Sequence, residues 1–533
     1  MKKAAVVVIS LFALFISVKA AAFDDCADPV TTETGMVSGH DSENWEACAW
    51  KGIPYATPPV GDLRWTSPVP APKWEGVMDA GSFGPACFQS TGDEAEMSED
   101  CLYLNIWRPK KSGIFPVMVW IHGGGYVMGS GGSGSIGLGY NGANMASYND
   151  VVVVTLNYRL HALGFMAHPK LREEDANNST GSYGSLDQAR AIEWVHDNIE
   201  SFGGDPAKVA IFGESAGGWS VCTMLATPLN SGRISGAILQ SGGCTKSSPL
   251  EQGYEQTRSL AERVGCDYDD IDCLRSVPPE KLTGGVLLLY KEGMSWEPHH
   301  DGYLLTDTPL EMIRAGNYNK VPFVAGSTRN ETDAVLRFRP ALWHALPFQY
   351  KWKLRRHLDL TKDEADRLVE LYPREDFGWL PRHGYGRIMT DAGLACHTYL
   401  GVAAVAEHQN NVWYYRYDFD DFKYGKTLGA LHSMDVPLTF GNLGEGMYPG
   451  EKMALARDLS RLIQDYWTNV AKDGDPNDEE LPDWPRFTEE SQKRIILDNE
   501  ISVEAADMEE RCAFWEEYFE DHTGLEETLL GSD

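Results

Sequence analysis

Positive charge is what this chain has too little of. Its 46 lysines and arginines face 78 aspartates and glutamates, a formal net charge of -32 at pH 7. Such an acidic balance argues against nucleic acid and anionic membrane surfaces as partners of the chain as a whole, and it suits neutral or cationic small molecules. Acidic runs such as Glu173-Glu174-Asp175 and Asp478-Glu479-Glu480 read as solvated faces. Long apolar runs are also missing. After residue 20 no stretch is expected to reach the roughly 20 apolar residues that a membrane span needs, and the tail 526–533 is polar. No repeat or low-complexity tract interrupts the sequence, which argues against solenoids and disordered linkers. Zinc-type ligand spacing is absent: His299-His300-Asp301 reads as a loop before an Asp-Gly turn, and neither metal nor cofactor is expected.

What is present begins with a leader. Lys2-Lys3, an apolar stretch over 4–18 and Val18-Lys19-Ala20 have the order of a secretory signal with its cleavage site. An uncleaved anchor is the rival, but the apolar stretch is short for a span. The expected destination is therefore secreted or periplasmic, with no stable membrane anchor after cleavage. Ten cysteines suit such an oxidising compartment. With 43% hydrophobic residues in 533, the chain can bury a large core. Strands and helices alternate without a break, so 21–533 is read as a single domain.

The most informative stretch is Gly213-Glu214-Ser215-Ala216-Gly217, directly after the apolar run Val209-Ala210-Ile211-Phe212. A buried strand running into Gly-x-Ser-x-Gly and then a helix is the setting of a nucleophile elbow. The turn is too tight for bulky side chains two positions either side of the serine, and glycine at 213 and 217 meets that need. Alone, the pattern would arise by chance in about a third of chains this long and glycine-rich. Its weight comes from what surrounds it. Pro116-Val117-Met118-Val119-Trp120-Ile121 reads as another buried strand, followed by His122-Gly123-Gly124-Gly125-Tyr126. Acyl transfer builds negative charge on the former carbonyl oxygen, which backbone N–H groups must already face. The N–H groups of Gly124, Gly125 and Ala216 are the expected donors.

An acid and then a histidine should follow the serine, each after a later strand. Lys320-Val321-Pro322-Phe323-Val324-Ala325-Gly326 reads as a strand, with Glu331 and Asp333 just beyond it. Asn411-Val412-Trp413-Tyr414-Tyr415-Arg416-Tyr417 reads as the next, with His432 on the segment after it. Of the 14 histidines, His432 has the required placement; His299, His300, His357 and His408 read as surface or core filler.

These residues carry a family resemblance. The chain resembles the type-B carboxylesterase/lipase family, the cholinesterase-like branch of the α/β-hydrolases, over nearly its whole mature length. Further blocks support it: Trp50-Lys51-Gly52-Ile53-Pro54-Tyr55-Ala56, Ser98-Glu99-Asp100-Cys101-Leu102-Tyr103-Leu104-Asn105, Asn157-Tyr158-Arg159-Leu160, Phe202-Gly203-Gly204-Asp205-Pro206 and Gly429-Ala430-Leu431-His432. The resemblance implies an α/β-hydrolase fold, with a large, mostly parallel central sheet flanked by helices and long loop insertions forming an active-site gorge. It assigns the catalytic acid to Glu331 and the histidine to His432, while Asp333 stays the fallback acid on the reading of the residues. It puts Glu214 in the gorge as an added negative charge and Ser241 behind the triad. It suggests disulfides Cys87–Cys101, Cys266–Cys273 and Cys396–Cys512. Cys26 and Cys48 could form another, while Cys222 and Cys244 could pair or stay buried as thiols.

The implied chemistry is hydrolysis of a small-molecule carboxylic ester through a Ser-His-Glu triad and an acyl-enzyme. The rivals are a lipase acting on long acyl chains at interfaces, a cholinesterase, and a non-catalytic binding protein of the same fold. The loop 88–100 contains no tryptophan for a quaternary ammonium group, which disfavours the cholinesterase. Retention of all three catalytic residue types disfavours the binding protein. Tyr126, Trp219 and Phe440 are candidate pocket walls, each equally readable as core. Leu160-His161-Ala162 departs from the family, where glycine usually follows the leucine, and puts local packing in question. Asn177, Asn178 and Asn330 head N-x-Ser/Thr patterns, but Asn330 adjoins the proposed acid and is expected to be too hidden for a glycan.

Overall fold

A computed structural model describes residues 25–89, 96–132, 139–283, 296–333, 346–377 and 381–521. The leader, the middle of the 88–100 loop and the polar tail lie outside the described residues. Eleven strands form the main sheet. In chain order they are β1 (His40–Asp41), β2 (Ala47–Pro54), β3 (Tyr103–Pro109), β4 (Phe115–Ile121), β5 (Val152–Leu156), β6 (Gly204–Glu214), β7 (Gly236–Gln240), β8 (Phe323–Thr328), β9 (Val412–Tyr417), β10 (Lys493–Leu497) and β11 (Ser502–Ala505). Across the sheet the order is β11-β10-β9-β8-β7-β6-β4-β5-β3-β2-β1. Every pairing from β10 through to β5 is parallel, and antiparallel pairs close both edges. The sheet is thus mixed, with the expected parallel part at its centre.

The central strands are apolar on both faces because both faces are covered. On β6, Val209 and Ile211 enter one core cluster while Ala210 and Phe212 enter the other, the two-residue period of a strand. Helices α1 (Tyr183–Asn198), α2 (Ala216–Ala226), α3 (Tyr350–His357) and α4 (Cys396–Ala406) contribute to the first cluster. Helix α5 (Lys452–Asp473) covers the opposite face with Leu459, Ile463, Trp467 and Val470. Helix α6 (Glu509–Asp521) is tied to α4 by Cys396–Cys512.

One expectation needs correction. Among the described residues the helical stretch Arg382–Ala406 is long and apolar enough to cross a membrane, contrary to the reading that no later segment is. Its apolar window is 78% buried inside the protein, because this stretch packs in the first core cluster.

Candidate active site

The site is built on the C-terminal ends of the parallel strands, where open α/β sheets bind their ligands. Strand β6 ends at Glu214 and α2 begins at Ala216, leaving Ser215 alone between them at φ 59°, ψ −125°. A non-glycine residue there is strained by about 1–3 kcal/mol and must be held in place. Its N–H donates to the Gln240 carbonyl and its own carbonyl accepts from Trp219 N–H, both at 2.9 Å. The flanking glycines are steric necessities. A β-carbon on Gly217 would lie 2.0 Å from the Ile121 oxygen, and one on Gly213 would lie 2.5 Å from the Gly217 oxygen.

The glycine loop leaving β4 runs beside this elbow. A β-carbon on Gly123 would stand 3.0 Å from Ser215 Cβ. Gly124 and Gly125 take φ values of 110° and 63°, conformations that favour glycine. The Gly124 carbonyl accepts from Val127 and Met128 at 3.0 Å each, which shapes the turn. The N–H groups of Gly124 and Gly125 donate to nothing among the described residues. Ala216 is the first residue of α2, so its N–H has no intrahelical acceptor. Three amides at the elbow are therefore available to a ligand oxygen.

Two supports of this loop were not anticipated. Tyr158 stacks on His122 at 4.3 Å between ring centroids and donates its hydroxyl to the His122 carbonyl at 2.8 Å. Gln89 clamps Gly129 from both sides, accepting at 2.8 Å and donating at 2.9 Å. Tyr158 stood in the Asn157–Leu160 block without a role attached to it, and nothing in the sequence marks Gln89.

The acid and histidine meet at the ends of β8 and β9. Glu331 Oε2 lies 2.6 Å from His432 Nδ1, and its Oε1 accepts from Thr328 N–H at 2.6 Å. Asn330 ties the two loops together: its N–H donates to Ala430 at 3.0 Å, and its side-chain oxygen accepts from Ala430 N–H at 3.2 Å. Its amide nitrogen donates to Asp333 Oδ2 at 3.0 Å, so this side chain is fully engaged. Asp333, the fallback acid, takes that bond rather than one to the histidine, and burial lifts its carboxyl to about 6.

His432 Nε2 faces Glu214 Oε1 at 3.2 Å. Ser433 Oγ donates to the same oxygen at 2.6 Å. Among the described residues the Ser215 hydroxyl makes no hydrogen bond, so the serine–histidine contact expected of a resting triad is not formed here. A charged carboxylate outcompetes a neutral hydroxyl for an imidazolium N–H. Burial works against the charged ring, but Glu214 and Glu331 outweigh it and hold His432 up at about 9. Burial pushes the Glu214 carboxyl up as well, opposed by His432. A third buried acid, Asp435, accepts from Gln240 at 2.8 Å and from the Tyr415 hydroxyl at 3.4 Å. It adds to the negative field on His432.

This architecture has close counterparts. A model of the carboxylesterase family matches residues 27–515. The chain belongs to the carboxylesterase family. As a member it is a carboxylic ester hydrolase with the α/β-hydrolase fold. Para-nitrobenzyl esterase of Bacillus subtilis is 35% identical over 499 residues, covering 89% of this chain and 96% of that one. Fumonisin B1 esterase of Sphingopyxis macrogoltabida is 34% identical, over 86% and 84% of the two chains. A solved carboxylesterase of Geobacillus stearothermophilus superposes with a TM-score of 0.79 at 33% identity, covering 91% of this chain and 99% of that one.

The remaining expected residues of the esterase fall in different settings. Trp219, on α2 one turn after Ser215, is 8% exposed and packs on His397 at 5.2 Å. Tyr126 is 1% exposed, lying against Phe165 at 5.0 Å. Phe440 has no exposed surface and is enclosed by Trp120, Phe212 and Tyr140. Its position is interior, beneath the site rather than open to a ligand. Ser241 is buried with φ 47°, and its N–H donates to Gly326 at 2.8 Å. His161, where the family resemblance implies glycine, adopts φ 53° and is fully buried; burial drives its ring down to about 3.

All ten cysteines pair. The three bridges expected from the family form, together with Cys26–Cys48 and Cys222–Cys244. The last joins α2 to the segment after β7, two residues from which only spacing was available beforehand. Among the described residues one group has metal-ligand proximity, Cys26, Asp41 and Cys48, and its two cysteines are already spent on a disulfide.

Proposed function

We propose that this esterase is an exported serine hydrolase, a single domain from residue 21 once its leader is removed, that cleaves small-molecule carboxylic esters through Ser215, His432 and Glu331. The observation that carries the reading is the 2.6 Å contact of Glu331 with His432 Nδ1, which leaves Nε2 facing the carboxylate of Glu214, the residue before Ser215. Glu331 fixes the tautomer and steadies the imidazolium. With Nδ1 protonated and the ring neutral, Nε2 is an acceptor and turns from Glu214 to the serine hydroxyl.

As Ser215 Oγ attacks the ester carbonyl, its proton passes to Nε2 and the carbonyl electron pair moves onto oxygen. That oxyanion is held by the N–H groups of Gly124, Gly125 and Ala216, whose lack of other acceptors supports the role. Collapse breaks the bond to the alkoxy group, which leaves with the proton from His432. Water, deprotonated by the same nitrogen, then attacks the acyl-enzyme and releases the acid. Five disulfides support the oxidising destination, secreted or periplasmic.

A fluorophosphonate probe tests the assignment: a single adduct on the peptide carrying Ser215, absent in Ser215→Ala, is expected. Labelling elsewhere would overturn it. A p-nitrophenyl ester series from acetate to palmitate, with a choline ester alongside, then reads acyl preference; peak activity on short, dispersed esters is expected.

A further inference from the structure

The chain is strongly acidic, yet one helix is not. Helix α3 carries Lys351, Lys353, Arg355 and Arg356 with no acid in its eight residues. The face it buries consists of Tyr350 and Leu354, held by a Tyr350 hydroxyl bond to the Tyr372 carbonyl at 3.2 Å and a ring contact with Tyr385 at 5.1 Å. The opposite side is also apolar. Leu346 is 52% exposed, Phe348 81% and Trp352 56%. Phe348 lies in the 3-10 turn Pro347–Gln349 that leads into the helix, four positions before Trp352. Other exposed large apolar residues, such as Val60, Ile114 and Tyr424, stand apart in the sequence. These three fall within seven residues, and exposed apolar side chains gathered in this way are a feature of interaction sites.

The charges around it say what it meets. The Arg356 guanidinium lies 5.7 Å over the Trp352 ring, and Arg355 Nε donates to the Leu360 carbonyl at 3.2 Å. Neither arginine forms an ion pair among the described residues, while Lys351 pairs with Asp366. Exposed aromatics rimmed by arginine and lysine fit the interface of an anionic bilayer. The rings enter at headgroup depth and the long cationic side chains reach the phosphates. The body's negative charge does not forbid this: at physiological salt the Debye length is about 8 Å, so the local patch decides the encounter.

We propose that the Leu346–Phe348–Trp352 face of α3, with Arg355 and Arg356, docks this esterase peripherally on anionic lipid surfaces. Such docking needs no span, and it does not depend on the roles proposed for Ser215, Glu331 and His432. It would bring the enzyme to esters held in or near the lipid layer.

Co-sedimentation of the full chain with vesicles of phosphatidylcholine, alone or mixed with phosphatidylserine, tests this. Binding to the mixed vesicles alone, weakening as salt rises, is expected. Phe348→Ser with Trp352→Ser should reduce it at least tenfold, and Arg355→Glu with Arg356→Glu should do the same, since each basic side chain contributes about fivefold near such a surface. Both variants should keep the parent thermal midpoint and its rate on p-nitrophenyl acetate, because the changed residues are exposed. Brominated lipid should quench the parent more than Trp352→Phe. Absence of vesicle binding, or equal binding by parent and variants, would overturn the proposal. So would light scattering that shows a dimer which the apolar-face variant dissolves, since the patch would then meet a second copy.

Discussion

In the proposed mechanism Glu214, 3.2 Å from His432 Nε2, withholds that histidine from Ser215, and Glu214→Gln measures how strongly it does so. Glutamine keeps an oxygen for the Ser433 hydroxyl and removes only the charge. Two unit charges 3.2 Å apart at an effective dielectric of 20 interact by about 5 kcal/mol, a ceiling equivalent to almost four pH units. The His432 side chain is 29% exposed, so water screens much of this, and about one to two units remain. The sign follows from the direction of the shift. Carboxylates favour the charged ring and hold its pKa up, so the neutral base is available above that pKa and is lost as pH falls through it. The parent should therefore show an acid limb in kcat/KM well above the 6.5 or so of free imidazole. Glu214→Gln should move that limb down by at least about one unit. The high-pH plateau should fall as well, because the variant stabilises the transition-state imidazolium less. The assay is p-nitrophenyl acetate hydrolysis across the pH range, corrected for spontaneous cleavage. An acid limb that stays put, or rises, would refute the reasoning.

Four further outcomes are expected. Ser215→Ala should abolish ester hydrolysis while leaving circular dichroism and thermal midpoint unchanged; residual activity within about tenfold of the parent would exclude it as nucleophile. Glu331→Gln should lower kcat on the order of a thousandfold through loss of imidazolium support, whereas Asp333→Asn should stay within about threefold, and the reverse ranking would make Asp333 the acid. Gly217→Ala, which forces a β-carbon to 2.0 Å from the Ile121 oxygen, should cost about 3 kcal/mol or prevent folding, read from soluble yield and thermal midpoint. Removing the Cys396–Cys512 bridge, which closes a separation of 116 residues, should lower stability by about 4–5 kcal/mol in urea titrations.

Local chemistry made much of the site legible. Ser215 announced itself because its turn tolerates only glycine at 213 and 217, and the collision distances at both positions bear out that steric rule. The central strands were legible because β-branched and aromatic runs such as Val412–Tyr417 are buried along almost their whole length. The antiparallel edges were not, since β1 and β11 are short and exposed and leave little hydrophobic pattern. What stayed hidden depends on long-range approach. Gln89 reaches Gly129 across 40 residues, and Asp435 meets Gln240 across 195; no local signal marks either pair. Phe440 was equally readable as pocket wall or core, and its ring lies inward against Trp120, Phe212 and Tyr140, which offer it a dry socket.

The bridge between Cys396 and Cys512 also sets a calendar for synthesis. When the first of these thiols emerges, its mate is still 116 residues from being made. By then the eight other cysteines it does not belong with, from Cys26 to Cys273, have all been translated. If the chain meets its oxidant while it is still being made, those earlier thiols have to be paired, or sheltered in folded structure, before Cys396 arrives, or the late partner finds its place taken. Maturation would then be a matter of order as much as of oxidant, and a disulfide isomerase should speed recovery of the oxidised protein more than a simple oxidant does.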